Sequence, residues 1–208
     1  MTKPLAGVRA DHNYSYSKLE AVAAYVRQQL KFSPDQAIDP LQLFEDLHEL
    51  SITSNGKAIP LRGGVIALEN SEGYTRYDHE RHVIEILASE TTYHWLEQRH
   101  PRAGYFVAHE LGHCVLHTDQ LVRLAQLPTN QQAAFHRGRE GHRAYQDTEW
   151  QANAFASALL MPARGIVTLE QQFGQVTVPL LARQFGVSQE AANYRLALYA
   201  SRKNELLG

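Results

Sequence analysis

The sequence predicts an α+β protein with one core domain and additional helices at both ends, and three observations lead to this prediction. The chain has 208 residues, of which 44% are hydrophobic and 20% charged, a composition typical of a globular protein with a core of its own. Apolar residues recur at helical spacing near both ends of the chain. Between them, short β-branched runs separated by glycine turns predict a small, mostly antiparallel sheet.

The charge balance and the cysteine content argue against a nucleic-acid binder and against a protein stabilised by disulfides. Lys and Arg number 20 against 22 Asp and Glu, so the chain lacks the basic excess of a nucleic-acid binder. One cysteine, Cys114, permits no intrachain disulfide and fits a reducing compartment. The start of the chain lacks the apolar segment of a signal peptide, and no apolar run has the length of a membrane span. We therefore expect a cytoplasmic protein with no membrane partner.

Two helices are predicted in the N-terminal segment, residues 1–50. The first 14 residues carry no pattern and are expected to be loose. Ser17 and Glu20 form a possible capping box before a run of apolar residues at helical spacing. Asp39 and Pro40 mark the start of the second helix, as N-cap and first helical residue. Both helices are interpreted as scaffold.

Residues 51–165 are predicted to form the core of the protein. The predicted elements are strands at residues 65–68, 74–79 and 82–87, glycine turns at 55–56, 62–64 and 72–73, and helices at 91–98, 101–117 and 148–160. The stretch between the last two helices, residues 119–146, contains a basic run that is typical of a solvated loop.

A helical tail is predicted at residues 166–208. Within it, a helix, a glycine turn and a serine-capped helix follow one another in the pattern of a helix-turn-helix. A DNA reader needs basic and amide side chains on its second helix. That helix offers Arg195 but also Glu190, which would repel phosphate. We expect the tail to pack on the core, and direct DNA binding through residues 180–200 is the less favoured alternative.

The most specific feature of the sequence is the motif HELGH at residues 109–113. Residues four apart on a helix share a face, so His109 and His113 can direct both imidazoles at one zinc ion. Glu110 lies about 100° further round the helix, where it can serve as general base on a water molecule. This HExxH pattern is typical of metallopeptidases. Gly112 lowers helix propensity and indicates that another backbone packs closely there.

A catalytic zinc site needs a third protein ligand. His117 continues the four-residue series but lies about 12 Å from His109 along the helix, so we do not expect it on the ion. It is expected beside the ligands, as a partner of the helix end, or simply on the surface. Glu149, at the start of the next helix, would complete a set of two histidines and a glutamate. The alternative is a surface carboxylate favoured by the helix dipole. Asn153 shares the face of Glu149 and could brace the site.

Four further residues are considered near this site. Tyr145, His142 and Arg143 are candidates for stabilising the oxyanion, because their segment leads into the helix that begins near Glu149. Cys114 points away from the predicted ligands and is interpreted as an apolar filler. The alternative for Cys114 is a thiol that reports oxidants to the metal site.

The two motif blocks, residues 109–117 and 149–162, resemble the ImmA/IrrE metallopeptidase family. The resemblance implies a zincin-like core, with the small sheet packed on the HExxH helix. It also implies that Glu110 is the catalytic base. The ligands of zinc, manganese or another divalent metal would be His109, His113 and Glu149. Members of this family typically cleave a helix-turn-helix repressor, often encoded beside them, and so derepress stress-response or mobile-element genes.

We therefore expect a zinc-dependent endopeptidase with a helix-turn-helix repressor as its substrate and no organic cofactor. Two alternatives stay open at this point. One is a metal-bound regulator, or a partner of the toxin–antitoxin type, that binds its target without proteolysis. The other is a DNA-binding regulator that uses the C-terminal tail. The sequence assigns no oligomeric state.

Overall fold

The computed structural model describes residues 8–127 and 143–208 and has the predicted α+β architecture. The strands are β1 (Ser51–Ser54), β2 (Lys57–Ile66), β3 (Gly73–Asp78) and β4 (Val83–Ser89). The helices of the described residues are α1 (Tyr16–Gln29), α2 (Pro40–Glu45), α3 (Glu90–Glu97), α4 (Pro101–Leu116), α5 (Thr118–Ala125), α6 (Thr148–Leu160), α7 (Ala163–Phe173), α8 (Val178–Phe185) and α9 (Gln189–Leu207).

The four strands form one mixed sheet in the order β1-β2-β4-β3. The outer pairs, β1 with β2 and β3 with β4, are antiparallel, which confirms the predicted character of the sheet. The central pair, β2 with β4, is parallel. All seven residues of β4 are buried. Strand β3 lies at an edge, beside the helix that carries the HExxH motif.

The two faces of β4 have different surroundings. Ile84, Ile86 and Ala88 alternate along the strand and belong to the hydrophobic core shared with the helices. Glu85 points to the other face, where its two carboxylate oxygens accept from Arg76 at 2.7 Å and Arg81 at 2.8 Å. Because both oxygens have a guanidinium partner, this buried charge is tolerated within the sheet.

Helices α4 and α6 pack closely at Gly112. A Cβ atom added to Gly112 would lie 3.1 Å from Cα and 3.2 Å from the carbonyl oxygen of Ala152, and 3.1 Å from the ring of Phe155. The glycine thus permits the close backbone approach that the sequence indicated. This contact holds the HExxH helix against the helix that begins just before Glu149.

The C-terminal helices are joined to the core by a buried ion pair. Arg195 of α9 is 1% exposed, and its Nε donates to the carbonyl oxygen of Met161 at 2.7 Å. Its guanidinium also pairs with Glu20 of α1. Arg195, the arginine considered above for DNA binding, is therefore used inside the protein.

The start of α1 differs from the predicted capping box. Ser15, not Ser17, is the N-cap, and its hydroxyl accepts from the backbone N–H of Lys18 at 3.3 Å. Glu20 does not reach back to the cap, because its carboxylate pairs with Arg195 of the tail. The second helix start is as predicted, since the Asp39 carboxylate accepts from the N–H groups of α2.

The first 14 residues were expected to be loose, but those that the structure describes are bound to another part of the chain. The backbone N–H of Ala10 donates to the carbonyl oxygen of Gln146 at 2.7 Å, and the N–H of Thr148 donates to that of Val8 at 3.0 Å. Backbone pairing with a distant segment leaves no periodic signal in the sequence. These bonds tie residues 8–10 to the chain that leads into α6.

Two boundaries inside the core also differ from prediction. Residues 62–64, predicted as a turn, lie within β2, and their glycines serve close packing: a Cβ on Gly63 would lie 2.8 Å from the carbonyl oxygen of Phe44. Residues 118–125 form α5, where a loop was predicted. The break between α6 and α7 at residues 161–162 is as predicted.

The described residues contain one candidate membrane span by length and composition. Thr148–Phe173, which comprises α6 and α7, has a mean hydropathy of 1.2 over its most apolar window. Two thirds of that window, 67%, is buried inside the protein. Such burial is typical of the core helices of a folded domain, so the apolar character of this stretch is explained by packing.

Gly112→Ala should destabilise the protein by about 1–3 kcal/mol despite the higher helix propensity of alanine. The added methyl group would press on the Ala152 backbone, which cannot rotate away as a side chain can. Urea unfolding gives the free energy. Gly104→Ala in the same helix is the control, because its Cβ would meet only the Pro40 ring, at 3.2 Å. Equal stability of Gly112→Ala and wild type would contradict the tight contact.

Candidate metal centre

Three side chains from two helices meet beside the HExxH motif. His109 and His113 lie one turn apart on α4, and their Nε2 atoms are 3.1 Å from each other. Glu149, in the first turn of α6, places one carboxylate oxygen 3.2 Å from Nε2 of His109 and the other 3.3 Å from Nε2 of His113. The three candidate ligand atoms lie within 4.8 Å of one another. The described residues contain no other group of this kind.

The position of Glu149 follows from how α6 begins. The Asp147 carboxylate is the N-cap and accepts from the backbone N–H of Trp150 at 3.0 Å. A cap at this residue puts Glu149 in the first turn, where the partial positive charge of the helix favours a carboxylate. The residues on either side of the cap are held by backbone hydrogen bonds, Gln146 with Ala10 and Thr148 with Val8.

The charges around the cluster favour a cation. Hydrogen bonds with His109 and His113 hold the pKa of Glu149 well below its ordinary value, against the opposing effect of burial. Burial alone would lower the pKa of His109, but the hydrogen bond with Glu149 and the charge of Glu110 raise it overall. The carboxylate is therefore ionised and draws positive charge, as a proton or as a metal ion, to the imidazole nitrogens.

The far side of His109 is bound to α6. Its Nδ1–H donates to Oδ1 of Asn153 at 3.1 Å, and the same oxygen accepts from the Tyr105 hydroxyl at 3.2 Å. Burial raises the pKa of Tyr105 to about 12, which keeps its hydroxyl protonated as a donor. With the proton on Nδ1, the neutral His109 ring presents a lone pair on Nε2 to the cluster.

The donor set fits a divalent metal ion. The Nε2 lone pair of His109, the Nε2 atom of His113 and the carboxylate of Glu149 all face the same point. Acceptor atoms this close repel one another unless a proton or a metal ion lies between them. Two imidazole nitrogens and one carboxylate are the protein ligands of a common type of catalytic zinc site.

Glu110 lies next to this cluster but does not join it, as its position on the helix predicted. Its carboxylate Oε2 accepts from the hydroxyl of Thr75, on the edge strand β3, at 2.7 Å. One oxygen of the carboxylate is thereby held by the sheet. The arrangement suits a base that must keep a fixed direction beside the metal site.

A cleft of about 1450 Å³ opens at His109 and Glu110. Residues of α4, α6 and α9 line it together, so the tail takes part in forming it. The aromatic and aliphatic lining residues include Tyr16, Tyr105, Phe106, Trp150, Tyr194 and Leu198. The cleft joins the candidate site to an apolar surface on which a substrate can lie.

Comparison with known protein families matches one part of the chain. The sequence profile of the IrrE N-terminal-like domain, a peptidase family named M78, matches residues 96–197. Those residues form an IrrE N-terminal-like domain. The resemblance inferred from the two motif blocks is thus confirmed, and the match covers α4, α6 and most of the tail.

No curated protein matches the chain in a sequence search. Among solved structures, a transcriptional regulator of Mycobacterium tuberculosis is similar, with 21% sequence identity and a TM-score of 0.48. The alignment covers 86% of this chain and 55% of that one, so the chain spans about half the length of that relative.

The remaining predicted side chains of the M78 domain lie in different places. His117 is buried at the end of α4, and its Nδ1 lies 3.1 Å from Nδ1 of His113. Its pKa is lowered to about 4 by burial and by the neighbouring His113. Arg143 donates to the Tyr145 hydroxyl at 3.4 Å, and neither lines the cleft. His142 lies outside the described residues.

Sequence reasoning missed three residues that contact the cluster of the M78 domain or its neighbours: Thr75, Tyr105 and Gln151. Thr75 is on a strand, 35 residues from Glu110, and only tertiary packing brings the two together. Tyr105 precedes His109 by four residues on the same helix, so helical spacing was a usable signal for it. Gln151 follows Glu149 by two positions but contacts the site only through His117.

Cys114 is completely buried behind the HExxH motif. Burial, followed by the charge of Glu110, raises the pKa of its thiol far above the ordinary value. Since the thiolate is the reactive form, this residue fits an apolar filler better than an oxidant sensor.

Cys114 of the native protein should therefore resist alkylation by iodoacetamide, because its thiol is both inaccessible and protonated. Mass spectrometry should find one adduct only after the protein is unfolded in denaturant. Rapid modification of the folded protein would contradict the burial of this thiol.

Proposed function

We propose that this M78 protein is a zinc-dependent endopeptidase that cleaves a helix-turn-helix transcriptional repressor and so derepresses stress-response or mobile-element genes. The observation that carries the proposal is the convergence of His109, His113 and Glu149 beside a separately held Glu110. Membership of a peptidase family supports the reaction class.

In this proposal, His109, His113 and Glu149 hold the ion. When bound, zinc supplies a Lewis acid that acidifies water and polarises the scissile carbonyl. Glu110 accepts the proton of the attacking water and passes it to the leaving amine. The hydrogen bond from Thr75 keeps one oxygen of Glu110 in place, so the other oxygen is free for proton transfer.

The size of the cleft supports a polypeptide substrate. Small-molecule pockets are typically about 300–1,000 Å³ and largely enclosed, and the cleft beside Glu110 exceeds that range. Its aromatic and aliphatic lining suits apolar side chains of a protein segment. The choice of a helix-turn-helix repressor follows from the family resemblance, and the cleavage assay below tests it.

Direct DNA binding is disfavoured by the use of Arg195 inside the protein. This side chain is 1% exposed and paired with Glu20, so it cannot reach a phosphate. Glu190, in the first turn of the same helix, lines the cleft. A steep fall of DNA affinity with salt concentration would contradict this interpretation.

Glu149→Ala should lower zinc affinity by about 100-fold or more, since loss of a ligand exceeds the 10–100-fold typical of outer partners. Competition with a chromophoric chelator measures the affinity. Glu90→Ala is the matched control, because Glu90 also occupies the first turn of a helix, α3, but is exposed. Equal zinc affinity in the two variants would exclude Glu149 as a ligand.

Glu110→Gln should keep its zinc and lower the rate of substrate cleavage by about 10²–10⁴-fold, because an amide cannot accept the proton. The zinc-loaded protein is incubated with the helix-turn-helix protein encoded beside it, and intact mass detects the fragments. Glu97→Gln on α3 serves as the control and should cleave like wild type.

The outcome of this assay separates the candidate functions. Cleavage by wild type and Glu97→Gln alone would support the peptidase and locate the scissile bond. An uncut partner that co-elutes with the wild type would contradict proteolysis and favour the regulator that binds without cleaving.

A further inference from the structure

A buried hydrogen-bond chain runs from α6 to the ring of His113. It begins at Gln151, whose side-chain Nε2 donates to the carbonyl oxygens of His12 and Tyr145, both at 2.8 Å. Carbonyl oxygens only accept, so the amide nitrogen must face them. The amide oxygen of Gln151 then faces Nε2 of His117 at 2.9 Å. The orientation of this amide is thus fixed by its neighbours.

The fixed amide determines which nitrogen of His117 carries the proton. Because Oε1 of Gln151 only accepts, Nε2 of His117 must be protonated. His117 is 4% exposed and Gln151 is completely buried, and burial favours the neutral imidazole. A neutral ring protonated on Nε2 has its lone pair on Nδ1. That lone pair faces Nδ1 of His113 at 3.1 Å.

The lone pair of His117 in turn determines which nitrogen of His113 carries the proton. Two ring nitrogens at hydrogen-bond distance need one donor and one acceptor, and Nδ1 of His117 is the acceptor. Nδ1 of His113 is therefore the donor, and its Nε2 carries the lone pair that faces Glu149 and His109. With the opposite tautomer, a proton would occupy the position where a metal ion binds.

We propose that Gln151 and His117 are positioning residues that fix the tautomer of His113 and thereby present its Nε2 lone pair to the metal. This inference rests on the metal site proposed above. His109 has the shorter arrangement, with an amide oxygen of Asn153 bound directly to Nδ1. Helix α6 thus sets both histidine tautomers through amide oxygens, once directly and once through an imidazole relay.

The relay also joins the site to distant parts of the chain. His12 belongs to the N-terminal segment, and Tyr145 belongs to the short turn before α6. Both carbonyls keep the amide of Gln151 from turning over. If the amide turned, its nitrogen would face Nε2 of His117 and the direction of the whole chain would reverse.

The test uses nitrogen NMR on metal-free protein with isotope-labelled histidine, about two pH units above the ordinary histidine pKa. The expected wild-type spectrum shows His113 protonated on Nδ1 and His117 protonated on Nε2, and the proton that replaces the metal ion in the cluster is expected on Nε2 of His109. Gln151→Met removes the amide but keeps a similar volume. In this variant His113 should populate the form protonated on Nε2, and zinc affinity should fall about 10–100-fold.

Two controls separate this role from a general loss of structure. His109, whose tautomer is set by Asn153, should keep its proton on Nδ1 in Gln151→Met and so reports an intact site. In a His117→Phe background, which lacks the relay, Gln151→Met should cause no further loss of zinc affinity. A further loss of the same size in that background would overturn the relay.

The remaining outcomes are also decisive. His113 protonated on Nε2 in wild type, or an unchanged tautomer and zinc affinity in Gln151→Met, would overturn the inference. The expected tautomers in a wild type that binds no zinc would confirm the hydrogen-bond chain and contradict the proposed metal centre.

Discussion

At Gly112 the backbones of α4 and α6 come so close that one added carbon atom would lie 3.1 Å from Cα of Ala152. The candidate ligands depend on this spacing. His109 and His113 flank the glycine on α4, and Glu149 lies one turn before Ala152 on α6. Contacts of 3.2–3.3 Å between the imidazoles and the carboxylate exist only while the helices stay this close. A larger residue at the contact would separate the two halves of the site.

Helix α6 supplies more than a ligand. Its side chains at positions 149, 151 and 153 provide a carboxylate and two amides, and the amides bind the far sides of the histidine cluster directly or through His117. A buried polar group without a partner costs about 1–3 kcal/mol, and in this region the amide of Gln151 has a partner for each of its polar atoms. The buried guanidinium of Arg195 also has partners, Glu20 of α1 and the carbonyl oxygen of Met161 at the end of α6, and these contacts join the tail to both helices.

Much of the fold could be predicted from local signals. The cap at Asp39, the helix of the HExxH motif and the break after α6 each depend on a few neighbouring residues. The errors occurred where tertiary contacts override such signals. Glu20 pairs with Arg195 and does not form the predicted capping box. The glycines at 62–64 lie inside a strand, where Gly63 packs against Phe44. The tail has a helix-turn-helix pattern, but its packing makes it part of the cleft.

The sequence by itself predicted the α+β class, the two histidines on one helical face and Glu110 beside them, and the family resemblance added Glu149 as a candidate ligand. Helical periodicity places residues four apart on one face without reference to the rest of the chain. Only the tertiary structure brought Thr75 to Glu110 and Gln151 to His117, across 35 and 34 residues. Such pairs depend on how strands and helices pack, and the sequence near each residue carries no record of that packing.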